Sequence, residues 1–174
     1  MKQELTQAGY KGERIVVIAP TDVPPIRALT LAGAEQLRRS GMNVDLQEMD
    51  FGTLVRRRTS QAPPEKGGWN VILTLIDRSL PNTHPYGNPM LRADGLAALD
   101  GWPTSQRIEA LRAAWLDSKN LEEERRICVD LQNQLWQDVP YIPMGEYDQA
   151  TAYRKDLVDV QAGAFAVFYG VRHT

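Results

Sequence analysis

Residues 14–49 constrain the fold most. Arg14-Ile15-Val16-Val17-Ile18-Ala19 is a β-branched run closed off by Gly12 and Pro20, the pattern of a strand buried on both faces. Thr21 or Asp22 then offers an N-cap, with Pro24 and Pro25 near a first helical turn, where a missing N–H costs nothing. Ile26, Leu29, Thr30, Gly33 and Leu37 fall on one helical face, Gly41 ends the helix, and residues 42–49 alternate Val44 and Leu46 with polar neighbours. Strand, helix and strand at this spacing form a βαβ crossover, so the two strands are expected to be parallel and the fold α/β.

The loop after the first strand carries neither of the glycine-rich phosphate signatures. Ala19-Pro20-Thr21-Asp22-Val23-Pro24-Pro25 stands there instead, which argues against nucleotide binding by either loop. Charge argues against nucleic acid as well: 20 Lys+Arg against 22 Asp+Glu leave a net −2, without the basic surplus that phosphate backbones require. The densest basic run, Arg56-Arg57-Arg58, reads as the solvated end of a short helix over 51–59 that Asp50 can cap. Cys128 is the only cysteine and His84 and His173 the only histidines, too few for a zinc set; His173 is next to last in the chain and His84 lies in a Pro/Asn-rich loop with no cysteine nearby, which gives a Cys-His or Ser-His-Asp constellation little support. Cys128 itself reads as a small hydrophobe on an apolar stripe. No metal and no cofactor is implied. The amino terminus lacks an apolar targeting core, and nowhere do about 18 apolar residues run together.

The remaining elements are less sharply punctuated. Residues 2–8 read as a helix closed by Gly9, 61–68 as a loop, and 69–76 as a third strand. A proline-interrupted stretch then runs through Pro103, of the kind that usually carries function or drapes a surface. Thr104 or Ser105 starts a helix with Ile108, Leu111 and Trp115 on one stripe. Asn120 and Glu123 make a capping-box-like start to the next, whose stripe is Leu121, Ile127 or Cys128, Leu131 and Leu135. The two should form a helical hairpin. Residues 139–144 and 150–153 look strand-like, and 165–171 like a closing apolar strand. With 43% hydrophobic and 24% charged residues, the chain has the makings of a folded domain, and all of 1–174 is read as a single one.

The order of several short motifs resembles one family. Ala8-Gly9-Tyr10-Lys11-Gly12 precedes the first strand, Glu35-Gln36-Leu37-Arg38-Arg39-Ser40-Gly41-Met42-Asn43-Val44-Asp45-Leu46 bridges helix and strand, and Gly67-Gly68-Trp69-Asn70 opens the third strand. Gly101-Trp102-Pro103, Val139-Pro140-Tyr141-Ile142-Pro143-Met144-Gly145 and the segment 165–172 follow in order. Together they resemble the C-terminal part of family 5 extracellular solute-binding proteins, the dipeptide, oligopeptide and nickel receptors of bacterial ABC importers. The resemblance implies a periplasmic-binding-protein-like (type II) lobe, a mixed sheet flanked by helices. It also implies that the chain is a fragment of a two-lobed receptor, with residues 154–174 packing back toward a missing N-terminal lobe. The expected function is non-catalytic: capture of a peptide or related small solute in an interlobe cleft and its delivery to membrane permease subunits, in the periplasm or anchored outside the cytoplasmic membrane.

One region departs from the family pattern. Where many of its peptide receptors carry an Asp-Tyr-x-Asp-Pro stretch, this chain has Thr74-Leu75-Ile76-Asp77-Arg78-Ser79-Leu80-Pro81-Asn82-Thr83-His84-Pro85, and Asp77 is not at the usual spacing. Asp77 is either an acceptor for a ligand ammonium or a turn residue paired with Arg78. A carboxylate, a guanidinium and a ring on one loop suit an amine, a carboxylate and an apolar side chain, which makes Asp77, Arg78 and Tyr86 the candidate contacts. Trp102 is either a cleft wall or a packing anchor, whereas Trp69, opening an apolar strand, is expected in the core. Two other readings stand beside this one: an independent small-molecule sensing or interaction domain, and an enzyme domain built on Asp77, Glu146 and Asp148.

Overall fold

The computed structural model of the chain describes residues 2–77, 83–148, 150–163 and 166–174. The chain divides into two compact units, Met1–Leu75 and Ile76–Thr174.

The first unit is built on the expected crossover. After helix α1 (Lys2–Gln7), strand β1 (Arg14–Pro20) leads through helix α2 (Pro24–Ser40) to strand β2 (Asn43–Met49). β1 and β2 are parallel and in register from Arg14 opposite Asn43 to Pro20 opposite Met49. Strand β3 (Val71–Ile72) pairs parallel with the other side of β1, giving the order β2-β1-β3. A central strand must bury both faces, and Val16 through Ala19 are fully buried. Alternation sends Val16 and Ile18 to one side, where Leu54 of helix α3 (Phe51–Arg58), Met49, Trp69 and Ile72 pack on them. Val17 and Ala19 point to the other side. Both α2 and α3 pack against β1, so the sheet is flanked by helices.

Three local readings change. The cap of α2 is neither Thr21 nor Asp22: the helix starts one residue later, with Val23 at the N-cap position and no side-chain cap. Thr21 instead donates from its backbone N–H (2.8 Å) and hydroxyl (3.2 Å) to the Met49 carbonyl, and Asp22 accepts from the Phe51 N–H at 2.8 Å. These two residues tie the end of β2 back to β1. The third strand is shorter than 69–76. Its register sets Leu73 and Thr74 beside Ala19 and Pro20, and Pro20 has no N–H to extend the ladder. The arginine run is only partly solvated, because Arg57 turns inward and donates from Nε to the Gly67 carbonyl and from Nη2 to that of Gly68, both at 2.9 Å.

That clamp explains the Gly67-Gly68-Trp69-Asn70 motif residue by residue. Gly67 takes a left-handed φ of 89° to end a 3₁₀ turn over Pro64–Lys66. Gly68 is buried, and a Cβ there would fall inside the Ala62 carbonyl oxygen. Trp69 lies against the Val16, Ile18 and Leu54 cluster, as expected of a core residue, and donates its indole N–H to the Arg58 carbonyl at 3.0 Å. Asn70 exchanges two hydrogen bonds with Val16: its N–H donates to the Val16 carbonyl (2.9 Å) and its Oδ1 accepts from the Val16 N–H (2.8 Å). The side chain thereby substitutes for a strand residue at the start of β3.

The second unit rests on the helical hairpin. Helices α4 (Gln106–Leu116) and α5 (Leu121–Asp138) bury Ile108 and Leu111 against Ile127 and Leu131, with Leu91 and Ala93 of the preceding loop completing the core. Ser105 accepts from the Ile108 N–H, and Asn120 accepts from that of Glu123 at 2.9 Å, so both N-caps lie where the sequence places them. Ile127 takes the core position, and Cys128 beside it is half-buried. Burial, with Glu124 nearby, pushes the Cys128 thiol above its ordinary range, the opposite of what a nucleophile needs.

Beyond Asp138 the strand expectations are corrected. Residues 139–144 contain Pro140 and Pro143, which remove two ladder donors, and they form no strand; nor do residues 150–153. In the expected closing strand, 165–171, Phe165 lies outside the described residues, while Phe168 (80%) and Tyr169 (86%) are solvent-exposed in irregular backbone. The pairing observed is antiparallel, between β4 (Leu157–Val158) and β5 (Arg172–His173). Among the described residues, the first unit carries the parallel sheet and the second an antiparallel ribbon, within the expected α/β fold flanked by helices. No helix among the described residues is long and apolar enough to cross a membrane.

Candidate functional site

The polar centre of the second unit is Arg112. It lies on the same face of α4 as Ile108, Leu111 and Trp115, and only 4% of it is exposed. A guanidinium so placed must find partners for its charge and donors. Nη1 donates to both carboxylate oxygens of Glu109, one helical turn back, at 2.6 Å each. Nε donates to the Pro85 carbonyl at 3.1 Å, and Nη2 to the Tyr86 carbonyl at 2.7 Å. The guanidinium carbon also lies 5.4 Å from the centre of the Tyr86 ring, within cation–π range. Glu109 uses Oε1 a second time, accepting from the Ala93 N–H at 2.6 Å.

The loop that Arg112 grips is also held by its own His84. The imidazole stacks on Trp115 with ring centres 5.1 Å apart and planes 6° from parallel, and its Nδ1 accepts from the Gly87 N–H at 3.0 Å. That bond places the ring proton of neutral His84 on Nε2. Asn88 Oδ1 accepts from the Met90 N–H at 2.9 Å and closes the following turn. A loop of prolines, glycine and asparagine thus acquires a defined shape from two side chains, Arg112 and His84.

In front of it lies a cleft of about 490 Å³, lined by Tyr86, Gly87, Arg92, Asp94, Glu109 and Arg112 among others. Arg92 and Asp94 form an ion pair at 2.7 Å across this wall. The hydrogen bond between them raises the Arg92 guanidinium above its usual range and lowers the Asp94 carboxyl below its own. The lining thus offers a half-exposed phenol ring with the guanidinium of Arg92 and the carboxylate of Asp94, while the Arg112 guanidinium is taken up by Glu109 and the loop carbonyls, an arrangement suited to a small zwitterionic or amide-bearing solute.

The four candidate contacts fare differently. Tyr86 is at the cleft, half-exposed and held by Arg112. Asp77 is exposed. Arg78 lies outside the described residues. Trp102 is half-buried in a tight turn beside the antiparallel bridge of Asp94 with Thr104. Its φ of 49° is left-handed, a conformation that a bulky residue adopts at a cost. Relative to Trp102→Ala, Trp102→Gly loses the same indole but relieves this strain. The glycine variant should therefore be the more stable of the two by about 1 kcal/mol in urea unfolding. Glu146 and Asp148, the carboxylates of the enzyme alternative, are exposed.

Sequence reasoning missed Arg112 and Glu109. The visible signal was an arginine seated on an otherwise apolar helical stripe with a carboxylate three residues before it. Among the described residues, no group of three His, Cys, Asp or Glu side chains is arranged to hold a metal ion.

Acid should loosen both units. Asp50 is lowered chiefly by hydrogen bonds from Thr53 at the start of α3, and Asp138 by hydrogen bonds from Ser105 and then Gln134. Asp156, lowered first by its hydrogen bond with Arg154, anchors Arg154 and His173. Each folded value lies below the unfolded one, so the stabilisation is complete above the unfolded carboxyl range, about 4. It disappears as pH falls through the depressed folded values. Urea midpoints should therefore drop steeply below pH of about 4, and Asp50→Asn should flatten the drop.

Comparison with known proteins supplies the family context. No family model matches the chain. It is 34% identical over 156 residues, 90% of its length, to a protein of Sinorhizobium fredii described as a probable peptide ABC transporter periplasmic-binding protein. Among solved structures it resembles a dipeptide-binding protein of Pseudoalteromonas in complex with Met-Leu, with a TM-score of 0.77 and 20% identity over 99% of the chain. It also resembles NikA of Staphylococcus aureus in complex with Ni(L-His)2, with a TM-score of 0.69 and 14% identity over 99% of the chain. The chain spans 29% of the first of these proteins, 35% of the second and 37% of the third. The resemblance read from the order of the short motifs is borne out.

Proposed function

We propose that this homologue of periplasmic-binding proteins, with a type II solute-binding fold, is a non-catalytic ligand-binding lobe of a receptor serving an ABC importer. Its ligand is a peptide or related small solute, bound in a cleft completed by another lobe and passed to the transmembrane permease subunits of the importer. Kinship with a peptide-binding protein over nine-tenths of the chain supports the class of receptor. The observation that carries the ligand chemistry is the half-exposed Tyr86 ring at the rim of a cleft whose wall also holds the Arg92–Asp94 pair. A peptide brings an ammonium, a carboxylate, amides and a side chain, and this wall offers an acceptor, a donor and an apolar ring face to meet them.

Asp77, Arg78, Tyr86 and Trp102 are proposed as ligand contacts, with residues 154–174 proposed to run back toward the other lobe. Calorimetric titration of the complete gene product with a panel of dipeptides tests the reading. One-to-one binding, weakened about tenfold by Tyr86→Ala, is the expected result. Absence of binding across the panel, or hydrolysis of the bound peptide, would overturn it.

A further inference from the structure

We propose that Arg112 is a positioning residue for ligand binding, acting through Tyr86 without touching the solute. The inference rests on the reading of Tyr86 as a ligand contact and adds the group that aims it.

Three observations converge on this role. First, Arg112 is almost wholly buried although the loop it serves is at the surface. Second, all three of its nitrogens are committed: Nη1 to Glu109, Nε to the Pro85 carbonyl and Nη2 to that of Tyr86. A guanidinium so engaged, with its charge offset by a bidentate carboxylate, is poorly suited to recruiting an anionic ligand of its own. Third, the same group reaches both the backbone of Tyr86 and the face of its ring, at 5.4 Å. Backbone anchoring fixes where the Cα–Cβ bond starts, and the cation–π contact favours one setting of the ring about it.

The planar fork is what allows this. A lysine carries one compact ammonium on a flexible stem and cannot point simultaneously at Glu109 and at two successive carbonyls while also reaching the ring. Glu109 in turn holds the fork, and its second bond, to the Ala93 N–H, fixes it to the segment between Arg92 and Asp94. The Tyr86 ring and the Arg92–Asp94 pair are thereby set by one helix, α4. Preorganisation of this kind improves affinity by removing the cost of ordering the contact on binding.

Two experiments on the complete gene product test the proposal. The first needs no ligand: 3-fluorotyrosine is incorporated and the residue 86 fluorine resonance assigned by its absence in Tyr86→Phe. Arg112→Lys and Arg112→Met should shift or split that resonance and leave most others in place. An unmoved resonance in a folded Arg112→Lys protein would overturn the proposal. The second is a double-mutant cycle with methionyl-leucine as the probe. Arg112→Lys should weaken binding about tenfold in the native background and by less than about twofold in Tyr86→Ala, because its effect passes through the ring. A full tenfold loss in both backgrounds would show that Arg112 acts independently of Tyr86 and would overturn the proposal. A Tyr86→Ala protein that binds the probe as tightly as the native one would defeat the reading of Tyr86 as a contact, while the fluorine result continues to decide whether Arg112 sets the ring.

Discussion

Gly68→Ala is expected to destabilise the protein by about 3 kcal/mol, while Gly67→Ala, one residue earlier, costs about 1 kcal/mol. The ranking opposes what backbone angles alone suggest, because Gly67 is the residue with positive φ. A Cβ on Gly67 meets nothing within 4 Å, so alanine there suffers only the left-handed backbone penalty. A Cβ on Gly68 collides with the Ala62 carbonyl and crowds Pro63, and backbone cannot swing aside as a side chain would. Relief requires moving one of two segments, yet Arg57 pins the Gly67 and Gly68 carbonyls and Asn70 is bonded to Val16 on both sides. Urea denaturation of the two variants side by side measures the difference, and equal midpoints would show that the close approach is relaxed at no cost.

Glu109→Ala should be comparably severe, at about 3 kcal/mol, though it removes a residue that is itself partly exposed. The loss comes from what remains behind. Arg112 keeps its charge inside the unit with only carbonyl acceptors, and the Ala93 N–H loses the acceptor it had at 2.6 Å. Burial of the arginine moves this pair out of the class of surface salt bridges whose removal costs little. Glu109→Gln separates the contributions: its amide oxygen can still accept from Ala93 while the counter-charge is lost. It should fall roughly midway between native and Glu109→Ala in unfolding free energy. A Glu109→Ala protein within about 0.5 kcal/mol of native would mean that water replaces the carboxylate without penalty.

These two substitutions also mark where the sequence was readable. The β1-α2-β2 crossover was legible because its signals are local and redundant: a β-branched run, prolines at a helix start, Gly41 at its end and alternation afterwards. Gly41 has φ 106° and donates to the Arg38 carbonyl, a C-cap recognisable from the residue alone. The α4–α5 hairpin was legible for the same reason, through Ser105 and Asn120. Gly68 was visible as part of a motif, but its collision partner, Ala62, is named only by the fold. Arg112 was harder still, since the carbonyls it binds belong to residues 26 and 27 positions earlier, in a loop without periodicity. The C-terminal strands failed because apolar content marks a segment as sticky without choosing its neighbour. Leu157 and Val158 pair with His173 and Arg172, and an ion pair of Arg172 with Asp159 at 2.9 Å favours that choice over one centred on Phe168. Of the site, the sequence supplied the ring, and long-range packing supplied the residue that aims it.

Cys128 gives the second unit a built-in clock. It is the chain's only thiol, half-buried on α5 next to Ile127 and held in its protonated form by its surroundings. A disulfide reagent should therefore react with it more slowly than with a free thiol, and faster in a variant whose α5 is loosened, and the colour it releases follows that reaction. The rate in each variant divided by the native rate reports how far its second unit has loosened. Run on Glu109→Ala and Gly68→Ala, the same reaction would tell a lesion beneath the hairpin from one in the parallel sheet, without a single added label.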